Sequence, residues 1–262
     1  EKKPENVIPR IQQMLGPNVQ FELEWVSVYQ FACRRMKSFR HGRVLFAGDA
    51  AHQVSPFGAR GANSGVQDAD NLGWKLKAVL DGAAPESLLD TYHAERAAAA
   101  DDNIAHSTRA TDFISPKSRA SLRLRNAVLE LARTEAFARP LVNSVRLSMP
   151  TPYRDSPLIT PDEDHFDGGV APGWPCVDGP LGEQGWLLSA LGQGFVLLSF
   201  GEEAPDCALH TVVAEVEGVL AQRYDARPGT CYLIRPDQYV AARWRRFDAV
   251  KVNTALQRSL GN

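Results

Sequence analysis

Residues 42–80 hold the groups best suited to chemistry, the carboxylate of Asp49 and the glycine-spaced turn after it. The stretch reads GRVLFAGDAAHQVSPFGARGANSGVQDADNLGWKLKAVL. Val44, Leu45, Phe46 and Ala47 form an apolar run suited to a short buried strand. That places Asp49 at a strand's C-terminal end, where open α/β sheets gather ligands, and its carboxylate can accept hydrogen bonds from ligand hydroxyls. Pro56, Gly58 and Gly61 keep the following segment irregular. From Asn63 onward Val66, Ala69, Gly73, Leu76 and Leu80 recur at helical spacing, and Asp81-Gly82 stops the helix. The first amides of such a helix lack intrahelical acceptors and sit at its positive dipole end, so they favour an anion or an electron-rich oxygen. Glycines in the turn let a flat ligand come close to the backbone. A Gly-Asp pair alone is more often a plain capped turn; the whole run carries the argument.

The flanking elements have to hold this unit in place. Residues 4–16 read as a helix after Pro4, with Val7, Ile8, Ile11, Met14 and Leu15 on one side and Gly16-Pro17 as the stop. Residues 20–33 alternate like a strand, which turns Tyr29 and Phe31 to one face, either as walls of a substrate pocket or as packing within a sheet. Arg34, Arg35, Lys37, Arg40 and Arg43 form a basic cluster, read as a solvated face, with attraction of a nicotinamide cofactor's phosphates as the weaker reading. Pro85-Glu86 opens a second helix with Leu88, Leu89, Tyr92, Ala99 and Ile104 as its apolar side and His93, Glu95 and Arg96 on its more polar side. Arg96 is expected to tie this helix to a neighbour through a carboxylate. A third helical region runs from 118 to 147 with a break near Pro140.

Prolines and glycines crowd residues 149–180, an irregular connection. The expected organisation is therefore 1–150, a linker at 151–180, and a second domain at 181–262. There, Trp186–Leu191 suggests a short helix, Phe195–Phe200 and Val212–Val216 strands, Cys231–Arg235 and Gln238–Trp244 a hairpin around Pro236-Asp237, and Asp248–Leu260 an amphipathic helix.

Composition narrows the function classes. The 262 residues suit about two domains. With 29 basic and 31 acidic side chains the net charge is −2, which gives no reason to invoke nucleic acid or an anionic membrane. No apolar run approaches the ~20 residues of a transmembrane helix, and no signal peptide opens the chain. It begins Glu1-Lys2-Lys3, the look of an excised or processed piece. Cys33, Cys176, Cys207 and Cys231 are scattered, as expected of reduced thiols in a cytoplasmic protein. A metal site on Asp49 and His52 matches no zinc spacing, and His41, His93, His106, His165 and His210 are dispersed; no metal is expected.

Taken together, GDAAH at 48–52 with Pro56, Gly58, Gly61 and Asn63 in register, DADNLGWKL at 68–76 and YHAER at 92–96 resemble the second FAD-binding motif of the single-component flavin-dependent aromatic hydroxylases, the p-hydroxybenzoate hydroxylase-like and phenol hydroxylase-like flavoprotein monooxygenases. The run YLIRPDQYVAARW at 232–244 is similar to the thioredoxin-like domain that many of them carry at the C-terminus. Gly168–Gly173 looks like a worn form of the family's G-x-x-x-P-G-x-R segment, with Trp174 following the glycine and the arginine replaced. The resemblance implies an α/β fold: a partial FAD-binding domain, incomplete without its N-terminal βαβ half, then a thioredoxin-like α/β domain. Ser199-Phe200-Gly201-Glu202 stands where a dithiol would be, so that domain is read as structural or oligomerising.

The resemblance further implies FAD as cofactor, NADPH or NADH as reductant, and an aromatic, phenolic substrate hydroxylated with O2 through a flavin C4a-hydroperoxide. Carried over by motif position, Asp49 binds the ribityl chain, the amides of Ala62 and Asn63 face the flavin N1–C2=O edge, Pro56 lies near the substrate side of the ring, and Gly58, Ala59, Arg60 and Gly61 line the turn. No side chain is assigned a catalytic role. The family's G-x-G-x-x-G unit and middle DG motif are absent, and the first 150 residues supply too few strands for a closed sheet. The chain is thus expected to pair with the N-terminal half of its parent, or with another copy as a homodimer, and to be inactive alone. Two other readings stay open, a non-catalytic assembly fragment and a parent that is a polyketide-tailoring flavin hydroxylase or epoxidase.

Overall fold

A proline and a glycine bound the first helix. Pro4 occupies its first position, where a missing N–H costs nothing, and Gly16, at φ +95°, ends α1 (Pro4–Leu15) as expected. The computed structural model describes residues 3–142, 150–201 and 206–262. The chain divides into two units, Glu1–Ala32 and Cys33–Asn262.

In the first unit the expected strand over 20–33 does not form. A strand exists through ladder bonds to a neighbour, and among the described residues none pairs with this segment. Tyr29 and Phe31 are exposed there, with Trp25 edge-on to Tyr29.

The second unit opens with four two-residue strands, β1 (Arg34–Arg35), β2 (Arg40–His41), β3 (Val44–Leu45) and β4 (His52–Gln53). β1 pairs antiparallel with β4, and β2 with β3. The buried strand expected at 44–47 shrinks to β3, and Val44 is 56% exposed. Only Leu45 and Phe46 reach the core of Phe39, Ala51, Tyr92, Ala97 and Ala100. Asp49 consequently sits in a 3-10 turn, Gly48–Ala50, rather than at a strand end.

Two long helices follow, α2 (Arg60–Leu80) and α3 (Asp90–Ile114), and they pack together. The expected apolar stripe of α2 faces outward, with Val66 70% and Leu80 82% exposed. The buried face is Arg60, Ser64, Asp68, Asn71, Trp74 and Lys75. These recur at helical spacing as faithfully as the apolar set; partners on α3 and beyond decide between the two faces.

α4 (Arg119–Thr134) starts at a capping box made by Ser118 and Ser121. It ends at Glu135, before the break expected near Pro140, and Pro140 falls in the first turn of α5 (Arg139–Val142), where proline is tolerated. The helix expected over 143–147 lies outside the described residues.

Residues 150–181 contain no helix or strand, as the prolines indicated. The segment is held by backbone bonds instead, Tyr153 N–H to Gly173 O at 2.7 Å and Cys176 N–H to Gln238 O at 2.8 Å. Gly173 is required: at φ +83° a Cβ would stand 2.9 Å from the Tyr153 carbonyl oxygen.

The remainder is an α/β module: α6 (Leu187–Ala190), β5 (Val196–Phe200), β6 (His210–Ala214), α7 (Gly218–Arg223), β7 (Cys231–Ile234), β8 (Val240–Trp244) and α8 (Ala249–Ser259). Its sheet runs β6-β5-β7-β8, with β5 and β6 parallel and the other pairs antiparallel. Both faces are covered. Leu198, Phe200, Tyr232 and Ile234 pack on one side, and Leu197, Leu233 and Trp244 meet Val252 and Ala255 of α8 on the other. The strand expected at 212–216 lies two residues earlier, as β6. Asp248 caps α8 through its carboxylate. The β7–β8 turn closes with Gln238 N–H to Arg235 O at 2.9 Å. Of the tetrapeptide at the thioredoxin position, Glu202 lies outside the described residues.

Candidate functional site

The Gly-Asp turn is fastened to α2 by one buried carboxylate. A Cβ on Gly65 would lie 3.5 Å from the Cα of Gly48, so the turn rests on the helix backbone. One turn further along α2, Asp68 Oδ2 accepts from the Gly48 N–H at 2.9 Å and meets His52 Nε2 at 2.6 Å, while Oδ1 accepts from Arg96 Nε of α3 at 2.6 Å. Asp68 and Arg96 are fully buried. Burial pushes the Asp68 carboxyl up, but the His52 hydrogen bond and the Arg96 charge outweigh it and hold it below the usual carboxylate range. Arg96 also donates to Tyr153 Oη and Ser64 Oγ, each at 3.0 Å. The carboxylate tie expected for Arg96 is therefore present, on the buried side of α3.

Asp49 itself is exposed. Beside it lies an open cavity of about 280 Å³ lined by residues 34–36 and 49–53. Two members of the basic cluster, Arg35 and Arg40, are paired with carboxylates. Arg35 forms a bidentate pair with Asp101 at 2.6 and 2.8 Å, Arg40 pairs with Asp90 at 2.8 Å and with Glu86, and Arg34 donates to Gln53 Oε1. This fits the solvated-face reading better than phosphate attraction.

The other motif residues cluster at the start of α2 and do not line that cavity. Pro56 is exposed, and its carbonyl accepts from the Ala59 N–H at 3.1 Å, closing the turn. Gly58 has φ +95° and Ala59, the residue before the helix, φ +51°. The Arg60 side chain is buried and donates to Asn103 Oδ1 at 3.1 Å, so only its backbone borders the turn. Ala62 and Asn63 are exposed and Gly61 half-buried. No side chain caps this helix. Among the described residues, no protein acceptor outside the helix meets the amides of Gly61 or Ala62; Asn63 is the first residue of α2 whose amide faces an intrahelical carbonyl, that of Ala59, and its side chain turns to the same carbonyl at 2.7 Å. Two free amides at the start of α2 and an exposed carboxylate on the Gly48–Ala50 turn that rests on the same helix suit an electron-rich carbonyl edge and hydroxyl groups. Tyr29 and Phe31 belong to the other unit.

A second buried polar cluster lies farther along α2. Glu95 Oε1 accepts from Arg235 Nη1 at 2.7 Å and Ser156 Oγ at 2.6 Å; its Oε2 accepts from Lys75 Nζ and Asn71 Nδ2, both at 2.7 Å, and Arg235 Nη2 at 2.9 Å. Asp237 receives Arg235 Nε at 2.9 Å and Nη2 at 2.6 Å, with Asn71 Nδ2 at 3.0 Å. Glu95, Arg235, Lys75, Asn71 and Asp237 are each at most 5% exposed, and Ser156 is half-buried. Two cations and two anions cancel. Burial alone would raise Glu95, but Arg235 and Lys75 hold it well below the usual range. Burial pushes Lys75 down to about 8 against the pull of Glu95. Residue spacing along α2 hinted at this face, since Asp68, Asn71 and Lys75 fall on one stripe. Their partners on the β7–β8 turn, up to 166 residues away, left no local signal.

Comparison with known proteins bears on this geometry. Residues 1–107 match the FAD binding domain family. The chain is 37% identical over 224 residues to a flavin-dependent monooxygenase of Mycobacteroides abscessus, a match covering 84% of this chain and 41% of that protein. It is also 37% identical over 221 residues to the dialkyldecalin synthase of Streptomyces rugosporus, covering 84% of this chain and 42% of that protein. Among solved structures, a ternary complex of aklavinone-11 hydroxylase with FAD and aklavinone superposes with a TM-score of 0.72 at 25% identity, covering 99% of this chain and 51% of that one. The chain thus spans about half the length of these relatives.

Proposed function

From the premise that residues 1–107 form part of an FAD-binding domain and that the chain is related to the FAD-dependent aromatic monooxygenases, we propose that it supplies the flavin-ring half-site of an aromatic hydroxylase. The observation that carries this reading is the uncapped start of α2, where the amides of Gly61 and Ala62 find no acceptor outside the helix among the described residues, on the helix against which the turn bearing Asp49 rests. When bound, FAD supplies acceptance of a hydride from NADPH or NADH and activation of O2, from which one oxygen atom passes to a phenolic ring.

In this reading Asp49 accepts hydrogen bonds from the ribityl hydroxyls. The Ala62 and Asn63 N–H groups donate to the N1–C2=O edge, where the helix dipole adds stabilisation for negative charge. Pro56 borders the substrate side of the ring, and Gly58, Ala59, Arg60 and Gly61 shape the turn between. The Asp68 clamp keeps the Gly48 turn against α2, so that carboxylate and amides keep a fixed separation. Tyr29 and Phe31 are the residues of the first unit offered to an aromatic substrate. The N-terminal half of the same parent is the proposed completing partner, a second copy of the chain the lesser one, and a reducing, cytoplasmic setting suits the free thiols.

The test is FAD retention. Asp49→Ala in the complete polypeptide removes acceptor capacity toward the ribityl chain, and a charge-assisted bond is worth ~1.5–3 kcal/mol, so affinity should fall about 10–100-fold. Cofactor content unchanged after dialysis would sink the assignment. One relative is named a synthase, which gives a reason to score hydroxylated product and oxygen uptake separately.

A further inference from the structure

We propose that the C-terminal module positions the flavin half-site, and that Arg235 and Asp237 are its positioning residues. This rests on the reading that residues 48–63 meet the flavin.

The β7–β8 turn presents Arg235 and Asp237 to both long helices at once. Arg235 takes both oxygens of Glu95 on α3, and Asp237 takes Asn71 on α2. The next residue of α3, Arg96, takes Asp68, which in turn holds the Gly48 N–H and His52. Tyr153 bridges the two clusters: its hydroxyl accepts from Arg96, and its ring stacks on Tyr239 at 4.2 Å, four residues from Arg235 in the same hairpin. A continuous set of buried contacts thus runs from the C-terminal sheet to the Gly-Asp turn.

The arrangement fixes position more than it adds stability. A buried, balanced ion cluster is often no more stabilising than apolar packing of equal volume, and its best-attested use is to specify register. Asp68, Asn71 and Lys75 sit on one stripe of α2 and all close onto adjacent residues of α3. Sliding α2 by one turn, ~5.4 Å, would break every one of these bonds. Ala62 lies only six residues before Asp68, ~9 Å along the helix axis. The register set by Arg235, Glu95 and Asp68 therefore sets where the free amides stand relative to Asp49.

Arg235→Met and Arg235→Lys separate positioning from packing. In this chain without flavin, hydrogen exchange of the Gly48 amide and of Ser64–Asp68 should quicken about tenfold in Arg235→Met, with Arg235→Lys restoring part of the protection. In the complete polypeptide the same order should hold for FAD dissociation, about tenfold weaker in Arg235→Met. If Arg235→Met does not fold, Asp237→Asn, which keeps the Arg235–Glu95 pair, should still quicken Gly48 exchange. Exchange confined to 71–75, 90–97 and 231–240, with Gly48 and FAD retention unmoved, would overturn the proposal. The flavin reading fails separately, through an Asp49→Ala enzyme that keeps its cofactor.

Discussion

Asp68→Asn replaces an oxygen by an NH2 group at nearly constant volume. The wild-type carboxylate is acceptor-only and serves three donors, the Gly48 N–H and His52 on one oxygen and Arg96 Nε on the other. An amide offers one acceptor oxygen, so its NH2 must oppose either Arg96 or the Gly48–His52 pair. Arg96, fully buried, loses its counter-charge as well. Breaking a buried pair on one side costs ~3–5 kcal/mol, a large share of the ~5–15 kcal/mol that holds a domain folded. At ~2–4 °C per kcal/mol, the melting temperature should fall by about 6–20 °C. Calorimetry of both proteins at pH 7 reads this directly. The pH dependence supplies an internal check. A carboxyl held below its unfolded value contributes stability that is present above about pH 4 and lost as pH falls through the folded value. The gap between wild type and Asp68→Asn should therefore narrow in acid. A drop of less than about 2 °C, or a gap that widens in acid, would refute the view of Asp68 as the clamp.

The remaining expectations address other parts of the site. Ala62→Pro deletes one amide within the first helical turn, where proline is tolerated. With ~1.5–3 kcal/mol lost on reduced flavin, the two-electron potential should move about 30–60 mV more negative, read by dye-equilibrated titration; an unmoved potential would remove that amide from the ring. Lys75, pushed down to about 8 by burial, is protonated over a wider pH range when unfolded. Stability should therefore rise with pH between about 8 and 10 in wild type, and a urea titration of Lys75→Met should lack that rise.

Local signals in the sequence mark where elements start and stop. Pro4 and Gly16 bounded α1, Asp248 announced α8, and Pro236-Asp237 marked the hairpin turn. The family motifs at 48–63 gave the position of the candidate site and the helix behind it. What stayed hidden depends on distant partners. Alternation at 20–33 could not supply the neighbouring strand that a ladder needs. The two faces of α2 are both periodic, and the polar one is buried because Glu95, Arg96 and Asp237 neutralise it. Reading apolar spacing alone chose Val66 and Leu80, which point away from α3.

A structure of the complete polypeptide with FAD tests the central assignment most directly, through the distance from the flavin C2 carbonyl oxygen to the Ala62 and Asn63 nitrogens. Both nitrogens should lie within about 3 Å of the N1–C2=O edge, with Asp49 on a ribityl hydroxyl. A flavin ring bound away from the start of α2, with those amides facing water or another protein group, would contradict it.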